Sequence, residues 1–169
     1  MDLKTKTNEE ICNLIDSKEI SFADLTDAGI CPTCFDKENN NILFGDNKDK
    51  LLYEDNLIYC MLVGNPRALG HAAIFSKKHY KDMMEIDDEL CSHTFLTAKK
   101  LMNIIKDVYN SESVYICSMC DGPMNHFHVQ LIPRYSYEKR GSKNFVKERM
   151  TYIDDEEKIN KIRTLMKKD

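Results

Sequence analysis

The sequence contains no long hydrophobic run. Its longest apolar stretches, NLIYCMLVG at 56–64 and HAAIF at 71–75, are far shorter than the roughly 20 residues that a transmembrane helix needs. The first 16 residues also lack the continuous apolar segment of a secretion signal. We therefore expect a cytoplasmic protein that has no contact with a membrane.

A strong excess of either charge is also missing. Lys and Arg number 24 and Asp and Glu number 28, so the formal net charge is only -4. Proteins that bind nucleic acid are usually basic, and we expect no such binding here. Internal repeats and low-complexity segments are absent as well. The 169 residues, of which 42% are hydrophobic, suit one domain with its own core.

Seven cysteines without a secretion signal indicate reduced thiols, some of which are candidate metal ligands. Cys31 and Cys34 belong to a CPTC motif, which is half of a typical structural zinc site. Cys117 and Cys120 could complete a four-cysteine site with them. Residues three apart on a strand face opposite sides, however, so only the following turn would bring both thiols round. Three further cysteines are predicted core residues: Cys12, Cys60 and Cys91.

Hydrophobic periodicity predicts an α+β fold with an antiparallel sheet. The predicted helices cover 8–17, a short segment capped by Ser21, 88–110 (capped by Asp87 or Asp88) and 155–168. The predicted strands cover 41–46, 50–55, 56–63, 71–76, 113–119 and 125–134, with CPTC as a turn. We expect a single domain over 1–169, with a helical extension at 1–30 and a basic hairpin and C-terminal helix within 134–169.

The last strand, NHFHVQLIPR at 125–134, alternates polar and apolar residues with the period of a half-buried strand. The polar positions are predicted to lie on one face: His126, His128 and Gln130. The apolar positions are predicted to face the core: Phe127, Val129 and Leu131. Pro133 removes a backbone donor and is predicted to end the strand.

This strand resembles the active-site strand of the histidine triad (HIT) superfamily, in which histidines alternate with apolar residues and Pro-Arg often follows. Two further segments resemble that family: GNPRALGHAAIFSKKHYKDMMEI at 64–86, and DGP at 121–123, in the loop before the motif. The resemblance covers roughly residues 30 to 135. It implies a HIT-like sheet packed with one long helix, a nucleotide or dinucleotide substrate, and a homodimer formed through the long helix or a sheet edge.

Most members of the superfamily carry a third histidine where this sequence has Gln130. The variant is similar to the branch of galactose-1-phosphate uridylyltransferase and diadenosine tetraphosphate phosphorylase. The resemblance implies that His128 attacks the α-phosphate to give a nucleotidyl-histidine, with His126 beside it in the catalytic row. Gln130 would bind a phosphoryl oxygen, because an amide cannot protonate a leaving group.

Several functions remain open from the sequence. Gln130 favours a nucleotidyltransferase or phosphorylase, whereas the short chain favours a dinucleoside polyphosphate hydrolase. A nucleotide-binding module with little turnover and a zinc-organised interaction domain are the alternatives to an enzyme.

The resemblance also implies other site residues. A structural zinc ion would be held by four residues: Cys31, Cys34, His79 and His126. His71 resembles the family histidine beside the nucleotide pocket, although a structural role is equally consistent with it; His93 is expected at the surface. Residues 134–149, here called the basic segment, hold six Lys or Arg against two Glu and are either a solvated hairpin or a substrate-binding surface. Its candidate substrate-binding residues are Arg134, Lys139, Arg140 and Lys143.

Overall fold

The structure is a computed structural model that describes residues 2–39, 41, 43–44, 48–120, 122, 124–153 and 155–168. Within these residues the helices are α1 (Asn8–Asp16), α2 (Phe22–Asp27), α3 (Pro32–Glu38), α4 (Asp88–Tyr109) and α5 (Glu156–Met166). The strands are β1 (Leu51–Glu54), β2 (Ile58–Leu62), β3 (Ala72–Ser76), β4 (Ser113–Cys117) and β5 (His128–Arg134). Short 3₁₀ turns occupy Leu3–Thr5, Lys48–Lys50 and Ser142–Phe145.

The strands form one antiparallel sheet in the order β1-β2-β3-β5-β4. β5 therefore lies between β3 and β4, where both of its edges are hydrogen-bonded. In this register His128 lies opposite Phe75, and Gln130 lies between Ala73 and Cys117. The predicted α+β fold, with an antiparallel sheet and one long helix, is confirmed.

The main core lies between the sheet and the helices α4 and α5. Leu101 and Ile105 of α4 are fully buried in the same apolar cluster as Val129 and Leu131 of β5. Burying a side chain of this kind stabilises the fold by about 1.5–3 kcal/mol. The Asp87 carboxylate caps α4 by accepting from the Leu90 amide at 2.8 Å, as predicted. The side chains of His128 and Gln130, which alternate with Val129 and Leu131, consequently lie on the opposite face of the sheet.

The N-terminal helices have a smaller apolar cluster of their own. Leu25 is fully buried there, together with Ile11 and Phe35. Thr7 and Ser21 begin α1 and α2 with capping boxes, which explains why both predicted helices are present. The assignment of the whole chain to a single domain stays a prediction.

Two predictions for residues 31–46 are wrong. CPTC does not form an isolated turn: Pro32 is the first residue of α3, a position where its missing amide costs nothing. The strand at 41–46 is not formed in its described residues, because the Asp36 carboxylate accepts from the amides of Leu43 and Phe44 and holds them in a turn. Residues 42, 45 and 46, like 121 and 123 of the DGP resemblance, lie outside the described residues.

The last strand also differs from its prediction at both ends. β5 begins at His128 rather than at 125, and it continues through Pro133 to Arg134. The Arg134 carbonyl accepts from the Glu112 amide on the β4 side of the strand. The backbone nitrogen of Pro133 therefore faces the β3 side. There the pairing with β3 ends at Leu131, and the missing amide of Pro133 breaks no bond of the sheet.

The basic segment, residues 134–149, does not form the predicted hairpin. Its backbone carbonyls at Tyr135 and Glu138 accept from the Arg134 guanidinium, and the 3₁₀ turn follows. The segment folds back over the sheet, where the Phe145 ring packs on Tyr115 at 5.1 Å. Its end reaches the loop before β3, where the Met150 amide donates to the carbonyl of residue 66. No helix within the described residues is long and apolar enough to cross a membrane.

We predict that Gly70→Ala destabilises the protein by about 2 kcal/mol or more, because an alanine at positive φ is strained and its methyl group overpacks the neighbouring ring. Gly70 has φ +73°, and a Cβ there would lie 2.6 Å from the Tyr109 ring. Gly64→Ala is the matched control, since nothing lies within 4 Å of its Cβ position. Urea unfolding measures both changes; equal stability of the two variants would contradict the prediction.

Candidate functional site

Four side chains converge between α3 and the loop that precedes β5. The ligand atoms of Cys31, Cys34, His79 and His126 all lie within 4.8 Å of one another. The Cys34 sulfur is 3.4 Å from Nδ1 of both histidines, and the Cys31 sulfur is 3.7 Å from Nδ1 of His126. Cys117 and Cys120 are not part of this cluster.

The spacing of this cluster fits a tetrahedral zinc ion. Zinc bonds of about 2.3 Å to sulfur and 2.0–2.1 Å to nitrogen, at tetrahedral angles, place sulfur and nitrogen about 3.6 Å apart. The sulfur–nitrogen distances of 3.4–3.7 Å bracket that value. Two thiols and two imidazoles are also a typical donor set for a structural zinc site. The cluster can therefore bind a metal of this kind.

The protein fixes the protonation of the histidine that links this cluster to β5. Nε2 of His126 donates to the backbone carbonyl of Ser76 at 2.8 Å, so the lone pair of Nδ1 points at the two cysteines. Burial lowers the pKa of His126. Burial also raises the pKa of Cys34 to about 12, and the negative charge of the neighbouring Cys31 thiolate raises it further. A divalent cation would supply the positive charge that two thiolates here require.

A single chain of hydrogen bonds runs beside this cluster along the face of the sheet opposite α4, where His71 and Gln130 are buried and His128 is half-buried. The Arg67 amide donates to Nδ1 of His71 at 3.0 Å, so Nε2 of His71 carries the proton. That proton is donated to the Gln130 amide oxygen at 3.2 Å. The Gln130 nitrogen then donates to Nε2 of His128 at 3.3 Å, and Nδ1 of His128 donates to the His126 carbonyl at 2.8 Å.

The polarity of this chain is set by its two backbone ends. An amide N–H can only donate and a carbonyl can only accept, so each group between them has one allowed orientation. His128 is thereby held with an unprotonated Nε2. Burial lowers the pKa of His71 to about 4, with a further contribution from the charge of Arg149, and this keeps His71 neutral at ordinary pH.

Comparison with known protein families matches the HIT domain to residues 45–137, which is more than half of the chain. The chain belongs to the HIT family. An uncharacterized HIT-like protein of Methanocaldococcus jannaschii is 35% identical over 99 residues, which are 56% of this chain and 75% of that protein.

Two further proteins are similar to this HIT protein. The adenylylsulfatase HINT3 of Arabidopsis thaliana is 27% identical over 97 residues, which are 55% of this chain and 49% of that protein. A zinc-bound histidine triad family protein of Mycobacterium smegmatis shares the fold with a TM-score of 0.57 and 17% identity, over 69% of this chain and 82% of that one. The specific transferase branch suggested by Gln130 is not confirmed by these relatives.

The sequence reasoning missed an aromatic row in this HIT domain. The rings of Tyr59, Phe75 and His128 stack across three adjacent strands, with centroid distances of 5.0 and 5.4 Å. Tyr59 and Phe75 are half-buried, and burial raises the pKa of Tyr59. The strand register is the signal that finds this row, since it places the three residues side by side.

The four residues of the basic segment that are predicted to bind substrate are not part of the hydrogen-bond chain. Arg134 is buried and pairs with Glu112 at 2.7 Å, whereas Arg140 is 85% exposed. Lys139 and Lys143 are also exposed. In the part of the chain that the structure describes, none of the four is hydrogen-bonded to His71, Gln130 or His128. Their role in substrate binding stays a prediction.

His93 is not a free surface residue as predicted. It lies half-buried on α4, where Nε2 contacts the Asp55 carboxylate at 2.7 Å.

We predict that the purified protein carries about one zinc per chain and that chelation lowers its stability, because binding energy at a structural site is also folding energy. Cys31→Ser and His79→Ala should lose the metal. Cys117→Ser and Cys120→Ser are the matched controls and should keep it. Metal content by mass spectrometry of the purified variants checks this. Loss of zinc from the two controls with retention in His79→Ala would instead support a four-cysteine site.

Proposed function

We propose that this HIT protein is an enzyme that attacks the α-phosphate of a nucleotide substrate through Nε2 of His128. The hydrogen-bond chain that leaves this nitrogen unprotonated is the observation that carries the proposal. A neutral imidazole nitrogen is a competent nucleophile toward phosphorus. The contact from Gln130 at 3.3 Å is long, so little is lost when a phosphate displaces it.

The proposed reaction has two steps. In the first, the Nε2 lone pair forms a bond to the α-phosphorus while the bond from phosphorus to the leaving oxygen breaks, and the leaving group takes that electron pair. In the second, an acceptor oxygen attacks the nucleotidyl-histidine, and the electron pair of the broken bond returns to Nε2. Water as acceptor loses a proton to solvent and gives a hydrolase; phosphate as acceptor gives a phosphorylase.

Gln130 determines which leaving groups suit this site. Its amide nitrogen can donate to a phosphoryl oxygen as negative charge develops there. It has no proton to transfer to the leaving group, in contrast to an imidazole. We therefore propose substrates that expel a stable anion, such as phosphate, polyphosphate or sulfate. The name of the Arabidopsis thaliana relative, adenylylsulfatase, is consistent with this class.

A metal bound in the cluster would have a structural role and would take no part in the chemical steps. A closed set of four protein ligands is characteristic of structural zinc, which supplies a fixed cross-link rather than an open coordination position. Bound by Cys31, Cys34, His79 and His126, it would hold the residue whose carbonyl orients His128. His126 would then act as a positioning residue.

The expected homodimer and cytoplasmic location remain part of this proposal. Light scattering at micromolar concentration tests the homodimer.

We predict that incubation with diadenosine tetraphosphate adds the mass of one adenylyl group to the protein, and that His128→Asn abolishes this adduct because it removes the attacking nitrogen. Intact-mass spectrometry after an acid-free quench measures the adduct. His93→Asn is the control, because its imidazole lies on α4 behind the sheet. If nucleotides bind saturably but none of those tested forms an adduct, the result supports a binding module. If the protein shows no nucleotide binding and no adduct, the result supports a zinc-organised interaction domain.

We predict that Gln130→His accelerates substrates with basic leaving groups far more than substrates with acidic ones. Positioned acid catalysis is worth about 10²–10⁴-fold, and only a basic amine or alcohol needs the proton. The variant should also gain a pH dependence near ~6.5, with the acid-assisted rate present below that pH and lost above it. The measurement is kcat/KM for an adenosine phosphoramidate and for diadenosine tetraphosphate in both proteins. An unchanged ratio between the two substrates would show that Gln130 does not set the leaving-group class.

A further inference from the structure

Two arginines that the sequence motifs did not single out lie beside the hydrogen-bond chain. Arg67 belongs to the loop before β3, and its own amide begins the chain by donating to His71. Arg149 ends the basic segment, and its guanidinium donates to the carbonyl of Asn65 in the same loop at 2.9 Å. The loop and the segment are therefore joined where both arginines reside.

Further hydrogen bonds join the two backbone segments that carry these arginines. Arg67 donates to the carbonyl of Lys147, two residues before Arg149. The Met150 amide, one residue after Arg149, donates to the carbonyl of Pro66 at 2.8 Å. The pKa of Arg149 is lowered, first by the partial burial of its guanidinium and then by the positive charge of Arg67.

Neither arginine forms an ion pair with a carboxylate in the described residues, although nearby cations do. Arg134 pairs with Glu112 at 2.7 Å, and Lys147 pairs with Glu138 at 2.6 Å. Nε of Arg67 is buried and has no hydrogen-bond partner there. Two adjacent cations with an unused buried donor are costly in the free protein, and an anion between them would remove both costs.

The position of the pair relative to Gln130 identifies which part of a substrate it would meet. The Arg67 amide contacts the His71 ring at 3.0 Å, and that ring contacts the Gln130 amide at 3.2 Å. The charges of Arg149, Arg67 and Lys147 add to the burial that lowers the pKa of His71. The charge of Arg67 also reaches Cys117, where it opposes the rise in pKa that burial causes. Cys117 lies directly opposite Gln130 in the sheet. The pair is thus close to the end of the row that Gln130 occupies.

We propose that Arg67 and Arg149 form a binding site for the tetrahedral oxyanion that leaves the α-phosphate: a phosphate, a sulfate or the first phosphate of a polyphosphate chain. This inference rests on the proposed attack by His128. Gln130 supplies no proton, so the leaving oxygen departs with its full negative charge. Two guanidinium groups neutralise that charge through charge-assisted hydrogen bonds, and this takes the place of protonation.

The direct test measures the affinity of the zinc-loaded full chain for pyrophosphate by isothermal titration calorimetry. Arg67→Gln and Arg149→Gln should each raise Kd by about 10-fold or more, because each removes a charge-assisted donor. The Arg67 amide that begins the hydrogen-bond chain is retained in its variant. Lys161→Gln, at an exposed position of α5 behind the sheet, removes the same charge and should leave Kd unchanged. Arg149 is exposed, so its variant carries the test if Arg67→Gln does not fold.

A kinetic comparison separates this inference from the proposed reaction. In both arginine variants, kcat/KM should fall about 10-fold or more for diadenosine tetraphosphate and much less for adenosine 5′-(p-nitrophenyl phosphate), whose leaving group has no phosphate. An adduct on His128 with unchanged pyrophosphate affinity in both variants would overturn the arginine site alone. Arginine-dependent pyrophosphate binding without any adduct would overturn the reaction and leave the anion site standing. Equal weakening in Lys161→Gln would reduce the effect to net charge and overturn the site.

Discussion

The site depends on the contacts made by the three polar atoms Nδ1, Nε2 and the carbonyl oxygen of His126. Its Nδ1 faces the two cysteines, its Nε2 donates to the Ser76 carbonyl, and its own carbonyl accepts from Nδ1 of His128. One residue therefore belongs both to the metal-binding cluster and to the chain that orients the proposed nucleophile. Because the peptide of His126 cannot move without breaking one of these contacts, order in the cluster is transmitted to His128.

The sheet provides the second requirement, a rigid base for the reacting groups. β5 is hydrogen-bonded on both edges, and its apolar side chains are fully buried against α4. Slipping the strand by one residue would exchange the buried face for the face that carries His128 and Gln130. Core packing on the opposite side therefore maintains the register that places Gln130 within reach of His71. A change of register would expose several apolar side chains that are now buried, and this would destabilise the fold.

Local sequence patterns predicted the parts of the site that depend on local structure. The period-two alternation correctly placed His128 and Gln130 on one face of a strand, apolar spacing predicted α1 and α4, and the cap at Ser21 predicted α2. The pattern failed at His126, which precedes β5, because the amide of Phe127 is bound by the loop carbonyl of Tyr80 instead of a neighbouring strand. No sequence pattern paired Arg67 with Arg149, since 82 residues separate them and only the return of the basic segment over the sheet brings their segments together. The set of metal ligands was likewise accessible only through family resemblance.

The exchange of a third histidine for Gln130 has a physical rationale in the hydrogen-bond chain itself. Its amide accepts from His71 through one atom and donates toward His128 through another, and it does so at every pH because it does not titrate. An imidazole could also join these two neighbours while neutral, but protonation would make both of its nitrogens donors and reverse the contact with His71. The amide therefore preserves the orientation of His128 at the expense of acid catalysis. An enzyme that works in the proposed way needs another means of stabilising the leaving group, and the proposed site at Arg67 and Arg149 would meet that need.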